Sequence, residues 1–479
     1  MGARLGALLT VVFLICGAFG CTEEAGPLPD NLAPTTYLSI QGGDLDTLDY
    51  RQIVHWWGSD ADGRVVGYCL HWDGEWTPPP DAERCEFDTS WVFTSATTDT
   101  FVVPTGGVFG ERTFQVRAVD DRGAMDPVGK SQRFKLRNWA PQLQWSGVLS
   151  RPKSSLPAVS FAWTPIDLDG RETVRYYRYW LDGQDSTLAP LRSDTLIALT
   201  PQDFGDRLGE RTLAVQAFDE ALAPSNVLRH TWTVDPAQGR FLLIDNVHNI
   251  NTPGYATEDG FWRAALDSIA PGDYFVYDVE QRGDFRSHRE IEPLFSLFEG
   301  VVWYGGIKSD LNDDSVFRNF LTAERGLGEY LDDGGRVVLS GMNVVGDSAG
   351  LSVAFARERL GIQDFYRRPA SDIDLGAGTL LTTTLLGGVD TLETGSTSRG
   401  AELIIPTLDA AQWVSLPPGS PTLLGATPDQ SLDPAGAVVF RAGPNGSRTT
   451  IVPFLLSRAQ RRGNHRAVGA EIMRRTLLD

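Results

Sequence analysis

Sulfur is scarce in this chain: Cys16, Cys21, Cys69 and Cys85 are its four cysteines in 479 residues. There is no C-x-x-C pair and no cluster of Cys with His, which excludes a dithiol redox motif and a sequence-local zinc site. An excess of positive charge is also missing. Lys and Arg total 42 against 62 Asp and Glu, a net charge of −20. A nucleic-acid binder needs a clustered basic surface to displace phosphate counterions, so no nucleic-acid partner is expected. Beyond residue 20 no stretch is apolar enough to span a bilayer. Global disorder is excluded as well, because 42% hydrophobic and 10% aromatic residues can fill real cores. What remains is enough chain for about three domains. Its 50 glycines and 28 prolines suit a turn-rich, strand-rich protein.

At the amino terminus, Arg4 precedes a short apolar run over residues 5–19, and Ala18-Phe19-Gly20-Cys21 leads into Thr22-Glu23-Glu24. The run is short for a spanning helix, and residues 1–20 read as a signal segment. The junction resembles a bacterial lipoprotein signal. That resemblance implies a diacylated Cys21 as the new terminus and anchorage to the cell envelope, with Thr22 favouring the outer membrane. Two acyl chains meet the requirement for stable attachment. Residues 21–34, acidic and Pro-rich, read as a tether. Export makes Cys69 and Cys85 a candidate disulfide around Pro78-Pro79-Pro80, contributing about 3 kcal/mol in the loop-entropy model. Two buried thiols are the alternative.

The chain then repeats itself. Asn31-Leu-Ala-Pro34 returns as Asn138-Trp-Ala-Pro141, and Trp57-Gly-Ser-Asp60-Ala-Asp62-Gly63 has a counterpart in Trp163-Thr-Pro-Ile-Asp167-Leu-Asp169-Gly170. Gly110-Glu-Arg-Thr-Phe-Gln-Val-Arg-Ala-Val-Asp120 matches Gly209-Glu-Arg-Thr-Leu-Ala-Val-Gln-Ala-Phe-Asp219, and Trp72-Asp73-Gly74 matches Leu181-Asp182-Gly183. Alternation puts Phe114, Val116 and Ala118 on one face of a strand. Short strands between Gly, Pro and Asp turns predict two β-sandwiches, over 35–137 and 138–238. With an early Trp, a following Tyr (Tyr68; Tyr176 or Tyr177) and a late strand reading x-V-x-A-x-D, they resemble fibronectin type III or related immunoglobulin-like modules. That fold leaves function open. Carboxylates two apart before Gly, with Asp120 and Asp121 arriving from another loop, admit calcium at Asp60, Asp62, Asp120 and Asp121. The simpler reading is an Asp turn closed by Gly.

From residue 239 the texture changes. Phe241-Leu-Leu-Ile-Asp245, Tyr274-Phe-Val-Tyr-Asp278, Gly300-Val-Val-Trp-Tyr304-Gly305-Gly306 and Arg336-Val-Val-Leu-Ser340-Gly341 are continuous apolar runs, typical of strands buried on both faces. Helical stripes lie between them, such as Phe261, Trp262, Ala265, Leu266 and Ile269. A last strand near 449–456 and a helix from His465 close the chain. Residues 239–479 are therefore expected to be an α/β domain on a parallel sheet, with 363–448 an irregular insertion of short strands and loops. The order resembles the flavodoxin-like class I glutamine amidotransferase fold. That family's chemistry needs a Cys on the turn after the fourth strand and a His and an acid after the last. Here the turn reads Ser340-Gly341-Met342-Asn343, and Phe454-Leu-Leu-Ser457-Arg458 follows the last strand, so the triad does not carry over. Gly346-Asp347-Ser348 is similar to the G-D-S block of GDSL-type esterases, but it follows the wrong strand and suits a helix N-cap. His248 reads as a surface or structural residue.

Open α/β sheets bind ligands beyond the carboxyl ends of their strands. The candidate pocket is therefore Asp245, Asn246, Asp278, Gly305, Gly306, Met342 and Asn343. No cofactor is implied apart from the calcium considered above. The expected function is that of an envelope-anchored, non-catalytic binding or scaffold protein: a β-sandwich stalk presenting an α/β head to a protein or glycan ligand. The alternatives are an extracytoplasmic hydrolase with its site at the strand edge, and a structural part of a surface or secretion assembly.

Overall fold

The computed structural model describes residues 30–40, 47–74, 76, 79–105, 108–147, 151–247, 255–305, 315–341, 344, 351–365, 380–386, 390–393, 404–415, 436–453, 456–458 and 464–479. The signal segment, Cys21, His248, Gly306, Met342, Asn343, Asp347 and Ser348 lie outside these. Among the described residues no helix is long and apolar enough to cross a membrane. The chain forms two compact units, residues 1–140 with 219–223, and residues 141–218 with 224–479.

The first unit contains a β-sandwich. One sheet is three-stranded: β1 (Thr35–Ile40), β3 (Arg51–Ser59) and β7 (Thr98–Val102). The other runs β2 (Leu48–Asp49), β9 (Lys130–Arg137), β8 (Phe109–Asp120), β4 (Val65–Trp72), β6 (Asp88–Thr94) and β5 (Arg84–Cys85). Phe114, Val116 and Ala118 are fully buried, as their alternation predicts. They share a core with Trp56 and Trp72, whose rings stand 5.7 and 5.1 Å from Phe114. The Cys69–Cys85 disulfide is present and tethers β5 to β4.

The second sandwich pairs β10 (Gln142–Trp145), β12 (Val159–Ile166) and β14 (Leu196–Leu199) in one sheet. The other holds β11 (Ser154–Ser155), β16 (Pro224–Val234), β15 (Gly209–Asp219) and β13 (Val174–Leu181). The repeat is visible in its hydrogen bonds. Asn31 donates to Asp120 (2.8 Å) and Asn138 to Asp219 (2.6 Å). Asp73 accepts from the Thr113 amide (2.8 Å) and Asp182 from that of Thr212 (3.0 Å).

Aligned by sequence, Trp57 is the partner of Trp163. The structure corrects this by one residue. Trp56 and Trp163 are the buried pair, donating backbone N–H to Thr97 and Thr195 respectively, whereas Trp57 is 47% exposed. A slip of one position along a strand exchanges its faces. The open choice of Tyr resolves to Tyr177, which is buried, while Tyr176 faces solvent.

The α/β part continues in the same unit as the second sandwich. A parallel sheet runs β18 (Tyr274–Asp278), β17 (Phe241–Asn246), β19 (Gly300–Gly305), β20 (Arg336–Ser340) and β27 (Arg448–Val452). Antiparallel strands extend it: β26 (Gly436–Ala442), β25 (Ala411–Ser415), β22 (Leu380–Thr383) and β23 (Asp390–Glu393), with β24 (Ile404–Pro406) and β21 (Ile362–Phe365) off that path. The stretch expected to be irregular thus supplies strands to the main sheet.

Both faces are covered, as continuous apolar strands require. Helices α1 (Tyr255–Asp267) and α4 (His465–Met473) bury Phe261, Trp262, Val468 and Ile472 with Leu243 and Val302. On the other face, α2 (Ile291–Phe295) and α3 (Ser315–Asp332) bury Ile291, Leu294 and Leu327 with Ile244 and Trp303. Leu156 and Ala158 of the second sandwich belong to that same core. Glu290, 2% exposed, accepts from the Ser160 amide (2.6 Å) and the Arg286 amide, and the Ser160 and Ser287 hydroxyls meet at 2.5 Å.

Candidate functional site

Each apolar run of the parallel sheet ends in a polar residue, and the register sets four of those ends in one row. Asp245 is level with Asp278 on one side and Tyr304 on the other, and Tyr304 is level with Ser340. Side chains of one row in a sheet share a face. This one lies on the α1 side, since Tyr304 packs with the core beneath that helix. Taking the parallel strands in chain order, the sheet reads second, first, third, fourth, fifth. The order reverses between β17 and β19, the place where open α/β sheets leave a crevice. Asp245 and Tyr304 stand on either side of it.

Helix α1 completes the group. The Tyr304 hydroxyl donates to Asp259 Oδ1 (2.9 Å), and Asp259 is ion-paired one turn along the helix with Arg263 (2.6 Å). Asp245 accepts from the Val247 amide (3.2 Å) and also hydrogen-bonds Tyr304. Burial pushes the Asp245 carboxyl up to about 6, with the Asp259 and Asp278 charges adding to the shift and the Tyr304 hydrogen bond opposing it. Burial, followed by the two carboxylates, drives the Tyr304 phenol far upward, so it stays protonated. A phenol has one proton to give. That one proton faces two carboxylates, Asp259 and Asp245, both of which hold it on the phenol. The result is a connected line of Asp245, Tyr304, Asp259 and Arg263 at the strand ends.

Of the residues expected in the pocket, Asp245 and Asp278 are together, and Asp278 also caps the following turn through the Gln281 amide (3.1 Å). Asn246 is fully buried. Gly305 lies against Gly341, where φ is +146° and a Cβ would stand 3.3 Å from the Gly305 nitrogen, so glycine there serves close strand approach. Ser340 is 1% exposed and its hydroxyl finds no partner among the described residues. Nearby, Glu258 is buried against the Ser457 hydroxyl. His465 stacks on Phe261 (5.8 Å), and burial, then Arg466, lowers its pKa, consistent with a neutral packing residue.

Sequence reasoning missed Tyr304, Asp259 and Arg263. The available signal was the repeated pattern of an apolar run ending in one polar residue, together with the i,i+4 pair on α1.

The carboxylates considered for calcium act as turn residues. Asp120 accepts from the amides of Arg122 (2.9 Å) and Ala124 (2.8 Å) as well as from Asn31. Asp60 accepts from the Asp62 amide (3.3 Å), Asp62 is ion-paired with Arg122 (3.4 Å), and Asp121 with Arg64 (3.6 Å). Among the described residues no group of three or more His, Cys, Asp or Glu is arranged to hold a metal ion.

A groove of about 740 Å³ lies elsewhere in the second unit, lined by Arg286, His288, Arg325 and Arg359 among others. Its charges already pair internally, Arg325 with Glu329 (3.1 Å) and Arg359 with Asp332. We therefore favour the strand-end row over the groove.

No family model and no curated protein matches the chain. Among solved structures it is similar to the fibronectin(III)-like modules of Clostridium thermocellum CbhA, at 12% identity over 42% of this chain and 95% of that one, TM-score 0.20. It is also similar to the PKD1 domain of the Vibrio cholerae metalloprotease PrtV (15% identity, 22% and 99%, TM-score 0.16). A polysaccharide deacetylase from Bacillus cereus matches at 13% identity over 46% and 66%, TM-score 0.15. Scores this low carry no functional argument. The sandwich assignment rests on the paired sheets and their shared cores.

Proposed function

We propose that the protein is an envelope-anchored, non-catalytic binding or scaffold lipoprotein, tethered through Cys21, whose α/β domain has an amidotransferase-like fold without that family's chemistry. The supporting observation is the strand-end row. It offers Asp245, Tyr304, Asp259 and Arg263 as hydrogen-bonding groups at the point of strand reversal, in a domain that contains no cysteine. Asp245, Asp259 and Arg263 are partly exposed and are linked through the buried Tyr304, an arrangement that suits a polar ligand with several donors and acceptors. A thermal-shift screen of sugars, amino acids and polyamines tests it: at least one should stabilise the parent, and Asp245→Asn and Tyr304→Phe should abolish the shift. A screen in which nothing binds, or in which both variants still respond, defeats the reading. The anchor is tested separately by metabolic labelling with a lipid analogue, in which Cys21→Ser should lose the label.

One observation favours a second reading, an extracytoplasmic hydrolase. Burial pushes the Asp245 carboxyl up to about 6, beside the Tyr304 hydroxyl and at a strand end, which brings it toward the range in which a general acid works. On an ester, amide and glycan panel, this reading requires activity that Asp245→Asn lowers by about a hundredfold or more.

A further inference from the structure

The outer face of the first sandwich's three-stranded sheet has an unusual chemistry. Val54 and Trp56 point into the core, so the alternating positions Ile53, His55, Trp57 and Ser59 of β3 point outward. The register places Tyr37 beside Trp57, Ser39 beside His55, Thr35 beside Ser59, and Thr98 and Thr100 beside His55 and Ile53. Tyr37 and Trp57 are 39% and 47% exposed and stack at 5.4 Å with their planes 10° apart. Among the described residues, no carboxylate, ammonium or guanidinium occupies an outward strand position between Thr35–Ser59 at one end and Ile53–Thr100 at the other. The next position, Arg51, is ion-paired with Glu220. A chain with a net charge of −20 thus lines this stretch of the sheet face with an aromatic pair and hydroxyls, and the charged pair Arg51–Glu220 stands at its end.

The sandwich fold does not require this. With Trp56 equivalent to Trp163, the second sandwich carries Gln144 beside Thr164 where the first has Tyr37 beside Trp57. Exposed stacked aromatics therefore answer to something outside the fold. Trp and Tyr also serve at protein interfaces, but the Ser and Thr that surround them here are depleted there. An anionic polymer is disfavoured by the charge of the chain. The C–H faces of a neutral sugar suit the negative face of an aromatic ring, and its hydroxyls suit Ser, Thr and imidazole at the flanks.

We propose that this face binds a neutral glycan chain through Tyr37 and Trp57. The site is separate from the strand-end row and does not depend on it. The test titrates the full chain with cellohexaose, chitohexaose and xylohexaose, and with polygalacturonate as the anionic control. At least one neutral oligosaccharide should bind. Trp57→Ala and Tyr37→Ala should each weaken it about tenfold or more, Trp57→Phe should retain most of the affinity, and Asp245→Asn should leave it unchanged. An unaltered melting temperature in the Ala variants shows that folding is intact. Overturning results are no binding to any of the three neutral probes, binding indifferent to both aromatic changes, or binding abolished by Asp245→Asn. Sedimentation covers the remaining occupant: a dimer that Trp57→Ala dissolves, without glycan binding, assigns the face to a second copy of the chain and overturns the proposal.

Discussion

The two sandwiches use the same turn chemistry and differ in what closes them. In both, an Asn from the preceding linker donates to the Asp ending the late strand, and an Asp-Gly turn is held by a Thr amide. The first then adds a covalent bond, Cys69–Cys85, and keeps its three-stranded sheet open to solvent. The second has no cysteine. It is completed by the α/β domain, which accepts Leu156 and Ala158 into its core and seals Ser160 with Glu290. Repetition preserves turns and inward faces because the fold fails without them. Outward faces diverge because each meets different surroundings.

The sharpest way to break that contrast is Glu290→Ala. It strips a buried acceptor from the Ser160 and Arg286 amides and removes a buried charge that interacts with the Arg286 side chain, so a loss of about 3–5 kcal/mol is expected. Denaturant unfolding should show the loss in the transition of the second unit, with the first unit's transition unmoved. Replacing Cys69 and Cys85 together by Ser should do the reverse, costing the first unit about 3 kcal/mol by releasing a short loop. An effect of similar size sharpens the reading of the strand ends. The folded Asp245 titrates near 6, above its unfolded value of about 3.9, so it contributes stability below pH 4 that is lost as pH rises through 6. Asp245→Asn removes that dependence. The variant should gain about 3 kcal/mol more on the parent at pH 8 than at the acid end, and most of that gain should be gone by pH 4, read from melts at both values. Smallest of all, Asp73→Ala and Asp182→Ala should each cost about 1 kcal/mol, and nearly equally if the two turns are equivalent.

Much of this was legible in the chain. The four apolar runs from Phe241 to Ser340 announce strands buried on both faces, and the recurring Asn, Asp-Gly and V-x-A-x-D signals announce two copies of a sandwich. The Trp alignment slipped by one because Trp56 and Trp57 are adjacent and equally hydrophobic. Only pairing with β1 and β7 decides which one enters the core. Residues 363–448 resisted because β21 to β25 are three to five residues long, too short for a period to show, and they gain their partners from the edge of a sheet built elsewhere. Asp245 and Asp278 stood out as strand ends. Tyr304 did not, since a Tyr closing an apolar run looks like packing until the register sets it beside Asp245 and helix α1 brings Asp259 to its hydroxyl.

The seam at Glu290 also bears on how such a chain can be rearranged in evolution. A break before residue 239 would leave the α/β portion with a carboxylate sunk among groups whose amide donor had departed, and with a gap where Leu156 and Ala158 had been. A break before residue 141 crosses no such seam within the second unit. Gene fusions that reuse the α/β domain should therefore inherit the second sandwich with it.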